Sequence, residues 1–351
     1  MKIFGKFTPA AVILGVLFTW SAVFVSAQEL VSSPVGYVTV AIKPGSGTTL
    51  TYTTLSTPLL TRALADGQMS GRITGVDAHT ITNSDAGWTP GELSQPALPH
   101  FLKITSGPAA GRSLLISTAT ENTATTLTID AAEAADLAAL GINAGPNGDT
   151  YEIFAAGTLG NLFPVGSGVA GGSGVSNSDN LRIERNGVAK IYYYSTSAER
   201  WTESAAGAPD ALNVVVHPDS VILYGRRSRE PLRLIIAGEV PRSTRRALVA
   251  ASGVTYLSSA WPVSTTLLES GIQTLPGWVS AASAATADKV QLLDAGIWKS
   301  YYYDGAHWRQ IAIGFPIKDT AVIPAGAGVM INRLGSAGGA QPIDQDPPYS
   351  L

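Results

Sequence analysis

The sequence predicts an all-β protein: two tandem similar β-sandwich or barrel-like units, with a small β-rich module inserted in the first. Three observations predict it. The 351 residues hold 37 glycines and 21 prolines spread among runs of Val, Ile, Tyr and Thr, a composition of short strands joined by turns. A set of landmarks occurs twice at an offset of 106 to 109 residues. One interval between landmarks is about 100 residues in the first copy and three in the second.

The repeat is read from Asp179-Asn180-Leu181-Arg182-Ile183 against Asp288-Lys289-Val290-Gln291-Leu292. Each is followed by three tyrosines, Tyr192 to Tyr194 and Tyr301 to Tyr303, and then by a tryptophan, Trp201 and Trp308. Thr158-Leu159 matches Thr266-Leu267, Pro218 matches Pro324 and Arg227 matches Arg333. Further upstream, Gly36-Tyr37-Val38 and Leu55-Ser56 match Gly238-Glu239-Val240 and Leu257-Ser258.

Each Tyr/Trp segment reads as a hairpin. Asp304-Gly305 is a favoured two-residue turn, which sets Tyr301 opposite Trp308 and Tyr302 opposite His307. A four-residue turn at Ser195 to Ala198 sets Tyr192 opposite Trp201 and Tyr193 opposite Arg200. Alternation then turns Tyr301, Tyr303 and Trp308, like Tyr192, Tyr194 and Trp201, to the core. Tyr193 and Arg200, and Tyr302 and His307, fall on the other face. These four are the candidate ligand-binding residues; the competing reading packs both faces inside.

The inserted module spans 68–156. Its β-prone runs are Arg72 to Val76, Phe101 to Thr105, Ser113 to Ser117, Thr126 to Ile129 and Tyr151 to Phe154. One helix is expected between them, with Asp130 and Glu133 as its capping box, Leu137 and Leu140 as its stripe and Gly141 as its C-cap. The first unit then comprises 28–67 plus 157–230, and the second 231–340. The Pro-rich end, 341–351, is expected to be disordered.

Residues 1–27 read as a secretory signal: Lys2 and Lys6, an uncharged run from Ala10 to Val25, and Val25-Ser26-Ala27 before a mature start at Gln28. The run of about 16 residues falls short of the roughly 20 that span a bilayer. Cleavage removes two of the 23 Lys and Arg and none of the 26 Asp and Glu, so the net charge moves from −3 to −5. With 14% charged residues and no basic field, nucleic acid is not an expected partner. Cysteine is absent, so an exported chain that could use disulfides must rely on burial. No later run is long enough to span a membrane.

Together, Ser33-Pro34-Val35-Gly36-Tyr37-Val38, Leu102-Lys103-Ile104-Thr105-Ser106-Gly107, Gly148-Asp149-Thr150-Tyr151 and the two Asp…Tyr-Tyr-Tyr…Trp segments resemble an uncharacterised paralogous family of secreted proteins found in Verrucomicrobia. The resemblance covers nearly the whole mature chain. It implies export and a shared β-rich fold, and no activity.

Chemical motifs are sparse. His79, His100, His217 and His307 lie in no zinc pattern. His217-Pro218-Asp219 fits a base with its orienting carboxylate, or a turn that ends a strand; Ile323-Pro324-Ala325 in the second copy favours the turn. Gly166 to Gly174 reads as a linker or mobile loop without a nucleophile elbow. Asn177, Asp179 and Asn180 could offer oxygen to calcium, although closing a turn is the plainer role for Asp179 and Asp288. The leading expectation is an exported, non-enzymatic envelope or extracellular protein, structural or adhesive, at the cell surface or in the medium rather than in the periplasm. Surface glycans, other envelope proteins and self-association are its expected contacts. A carbohydrate-binding protein using the aromatic hairpins is the alternative, and a polysaccharide-acting enzyme the third.

Overall fold

The computed structural model describes residues 34–61, 69–133, 136–185, 187–335 and 339–349. The proposed signal and its cleavage site lie outside the described residues. The fold is all-β: apart from a four-residue helix, Leu159–Leu162, and two short 3-10 turns, its regular elements are antiparallel strands. Among the described residues, no helix is long and apolar enough to cross a membrane.

Two five-stranded sheets share one strand order. In the first, the order is Arg200–Glu203, Val188–Ser195, Asn180–Arg185, Ile222–Arg226 and Thr51–Leu55. In the second it is Trp308–Gln310, Ile297–Tyr303, Lys289–Asp294, Gly328–Arg333 and Gly253–Ser258. Each sheet is accompanied by two shorter ladders. Val35–Ile42 pairs with Leu232–Glu239, and Arg245–Val249 with Gln341–Gln345. Gly157–Thr158 pairs with Val215–Val216, and Thr265–Thr266 with Val322–Ile323.

These ladders correct one repeat match and two boundaries. Gly36 and Gly238 are cross-strand partners in one ladder, so their likeness is not a repeat equivalence. Leu232–Glu239 pairs with a strand of the first unit, although the sequence assigns it to the second. The end expected to be disordered supplies Gln341–Gln345, whose Ile343 is buried in the third core cluster. Pairing with Arg245–Val249 satisfies its backbone despite Pro342.

The hairpin registers are two residues away from the expected ones. Tyr194 faces Trp201 and Tyr303 faces Trp308, so the third tyrosine of each triplet makes the pair. Asp304 closes a wider loop by accepting from the backbone N–H groups of Ala306 and His307. A shift of two preserves side-chain parity. Tyr192 and Trp201 therefore still enter one core, and Tyr301 and Trp308 another.

The insert has its own core, closed by Ile73, Leu102, Ile104, Leu114, Leu127 and Tyr151. Its first sheet runs Met69–Arg72, Thr150–Ala155, His100–Ile104, Ser113–Leu115. Its second holds Gly75–Val76, Thr80–Thr82 and Thr126–Thr128. The expected helix is replaced by a turn at Asp130–Glu133 and a 3-10 helix at Ala138–Leu140. Gly141 does cap it, at φ 73°. Glu133 is drawn away from a capping role because its carboxylate bonds Arg185 and His217 of the first unit.

The Gly-rich run is pinned. Gly168 O accepts from Arg226, Ala170 exchanges bonds with Asp179, and Gly172 N donates to Tyr194 O.

Candidate functional site

Asp179 and Asp288 are buried hubs, each fully enclosed behind a sheet. The Asp179 carboxylate accepts from Ala170 N, Arg227 N, the Tyr224 hydroxyl and Arg226 Nη1, at 2.6–2.9 Å. Asp288 accepts from Val279 N and Leu334 N at 2.9 and 2.8 Å, and from Arg333 Nε at 3.4 Å. Arg226, rather than Arg227, is thus the counterpart of Arg333. The Tyr224 hydroxyl sits against the Asp179 charge, and burial together with that charge pushes its pKa up. A cation at Asp179 would have to displace a guanidinium, so the calcium reading has no support from this geometry. Among the described residues, no group of three or more His, Cys, Asp or Glu could hold a metal ion.

The four hairpin candidates are not brought together. Tyr302 is 3% exposed, and its ring meets Phe315 edge-on at 6.2 Å. Tyr193 is half-buried, opposite Thr202. Arg200 is exposed and lies 3.7 Å from Asp210. His307 is exposed in the loop, its Nδ1 2.7 Å from Asp319. A segment after the hairpin, Ile311 to Ile317, covers the outer face of Tyr302, which alternation alone could not show.

A concave site lies elsewhere. A cavity of about 470 Å³ opens where the insert meets both units. The insert contributes Arg112 and Glu133, the first unit contributes Arg185, His217 and Asp219, and the second contributes Arg245, Arg246 and Tyr256. Its volume lies in the range of small-molecule sites.

His217 organises this cavity. It ends the strand Val215–Val216, and Ser220 N donates to His217 O, so the turn reading holds. Its ring also bonds two carboxylates: Nδ1 to Asp219 at 2.5 Å and Nε2 to Glu133 at 3.2 Å. Phe101 of the insert meets the ring edge-on at 4.7 Å. Burial opposes the charged imidazole, but Asp219 and Glu133 outweigh it and raise the pKa to about 9. His217 in turn holds Asp219 down at about 2 against the opposing effect of burial. Burial also opposes ionisation of Glu133, yet His217 and Arg185 bring its pKa below the usual range. The Glu133 side chain is 3% exposed, while that of Asp219 keeps 40% of its surface open to the cavity.

The remaining cations are held differently. Arg245 is buried and donates to the carbonyls of Thr57, Pro58 and Ala260. Arg246 binds both oxygens of Asp344. The half-buried Arg112 has no side-chain hydrogen bond or ion pair among the described residues. Burial lowers its pKa, which Asp219 and Glu133 counter from a distance.

The sequence offers His217 with Asp219 as a base and its carboxylate but favours a plain turn there, and it gives no sign that Glu133, Arg112 and Arg185 join them. Glu133 lies 84 residues from His217 and 52 from Arg185. Only the docking of the insert brings them together, and no local spacing encodes that. Compared with family models, curated proteins and solved structures, the chain matches none.

Proposed function

We propose that this is an exported, non-enzymatic envelope or extracellular protein of adhesive type, holding a partner molecule in the cavity between its three modules. The observation that carries the reading is the state of His217. Both ring nitrogens are committed to carboxylates, and its pKa stands near 9. At neutral pH it is a fixed cation, not a base poised near the working pH. The third expectation, a polysaccharide-acting enzyme, asks for one carboxylic acid with a raised pKa to protonate the leaving group. Glu133 and Asp219 are both shifted down. The arrangement suits recognition, in which charges are set before the ligand arrives.

Glycans remain fitting partners, now at the cavity rather than at the hairpins, because Tyr302 is buried. Export rests on the amino-terminal pattern and on the resemblance to secreted Verrucomicrobial proteins. Fractionation of the producing cell, with mass spectrometry of the amino terminus, is expected to find a chain beginning at Gln28 at the surface or in the medium. An uncleaved cytoplasmic chain, or a soluble periplasmic monomer that binds no envelope polysaccharide, would sink the proposal.

A further inference from the structure

The cavity is unlike the rest of the chain in charge. The sequence is net negative, at −3. Yet the cavity is lined by Arg112, Arg185, Arg245, Arg246 and the imidazolium of His217 against Glu133, Glu184 and Asp219. Of the guanidinium groups, Arg185 is tied to Glu133 and Arg246 to Asp344. Arg245 donates only to backbone carbonyls, and Asp219 and Glu152 offset its charge without a direct ion pair. Arg112 is half-buried with no direct side-chain partner among the described residues. Asp219 and Glu133 offset its burial without a direct bond; a directly bonded anion would offset it further, and its planar fork matches a carboxylate or phosphate.

The rest of the lining is mixed. Tyr256 supplies an aromatic wall, its ring 6.4 Å from Trp298, and Ser113, Ser220 and Ser252 supply hydroxyls. Aromatic surface beside hydroxyls and a cationic fork fits a polar ring that carries an oxyanion.

We infer that the cavity binds an acidic saccharide, with Arg112 gripping its carboxylate or phosphate and Tyr256 flanking its ring. This inference rests on the cavity being the binding site. Docking is non-covalent and leaves Asp219 and Glu133 on His217.

Isothermal titration calorimetry of the mature chain tests it, with trigalacturonate, glucose 6-phosphate and neutral maltotriose as probes. The expected result is binding of one or both acidic probes, none of maltotriose, and a loss of about ten- to a hundredfold in Arg112→Gln. Trigalacturonate alone would identify a carboxylate site, and glucose 6-phosphate alone a phosphate site. Arg112 has no structural bond to lose, so the variant should melt with the parent protein. Binding of maltotriose alone would overturn the inference and leave the cavity reading standing, provided Tyr256→Ala abolishes it. Acidic binding that Arg112→Gln leaves unchanged would also overturn it. No binding of any probe would overturn the inference and count against the cavity as a saccharide site.

Discussion

Replacing Asp179 by alanine is expected to lower the unfolding free energy by about 3–5 kcal/mol, read as a fall in the urea midpoint. The reason is what the substitution strands. Asp179 is fully buried and accepts from two backbone amides, a tyrosine hydroxyl and a guanidinium. Alanine leaves the 4%-exposed Arg226 without its carboxylate and the Ala170 and Arg227 amides without their acceptor. Asp288→Ala should cost less. Its ion pair is longer, at 3.4 Å, Ile331 stands in the place of Tyr224, and Arg333 Nη1 is already buried without a partner. An Asp179→Ala protein within about 0.5 kcal/mol of the parent would show that the hub is not what holds the first sheet.

The second large effect is a dependence on pH centred on His217. Its pKa in the folded protein is raised to about 9 from an ordinary 6.5. The stabilisation is therefore complete below about pH 6.5 and is lost as pH rises through 9. A shift of that size corresponds to about 3 kcal/mol. Asp219, depressed from 3.8 to about 2, adds an acid arm: its contribution is present above about pH 4 and fades as pH falls towards 2. Glu133, also depressed, acts in the same direction. Urea titrations across pH should give a plateau between about pH 4.5 and 6.5 with a fall on each side. His217→Gln should flatten the alkaline arm while lowering the plateau. If the alkaline arm persists in that variant, its origin lies in another group.

Much of the fold is legible because it depends on local rules. The Val/Ile/Tyr/Thr runs, the Gly and Pro punctuation and the repeated Tyr/Trp segments each announce strands; four of the five β-prone runs of the insert fall on one strand each, while Arg72 to Val76 straddles the break between Met69–Arg72 and Gly75–Val76. The core face of both hairpins is legible despite the wrong register, since a slip of two leaves parity intact. What could not be read comes from distance. The outer face of Tyr302 is closed by Phe315. Glu133 looks like a capping residue until Arg185 and His217 claim it across the module boundary. The closing strand Gln341–Gln345 carries a proline, and only its partner Arg245–Val249 shows that it pairs. The site is legible only at His217-Pro218-Asp219, where two of its residues lie two positions apart in sequence.

Under the proposed function, ligand is held at the junction of the three modules rather than on the aromatic hairpins. Hydrogen–deuterium exchange with and without trigalacturonate separates these locations. Protection is expected in the peptides carrying Arg112 and Ser113, His217 to Ser220, and Arg245 to Tyr256, with Tyr192 to Trp201 and Tyr301 to Arg309 unchanged. Protection confined to the hairpin peptides, with the junction exchanging as in the free protein, would contradict it.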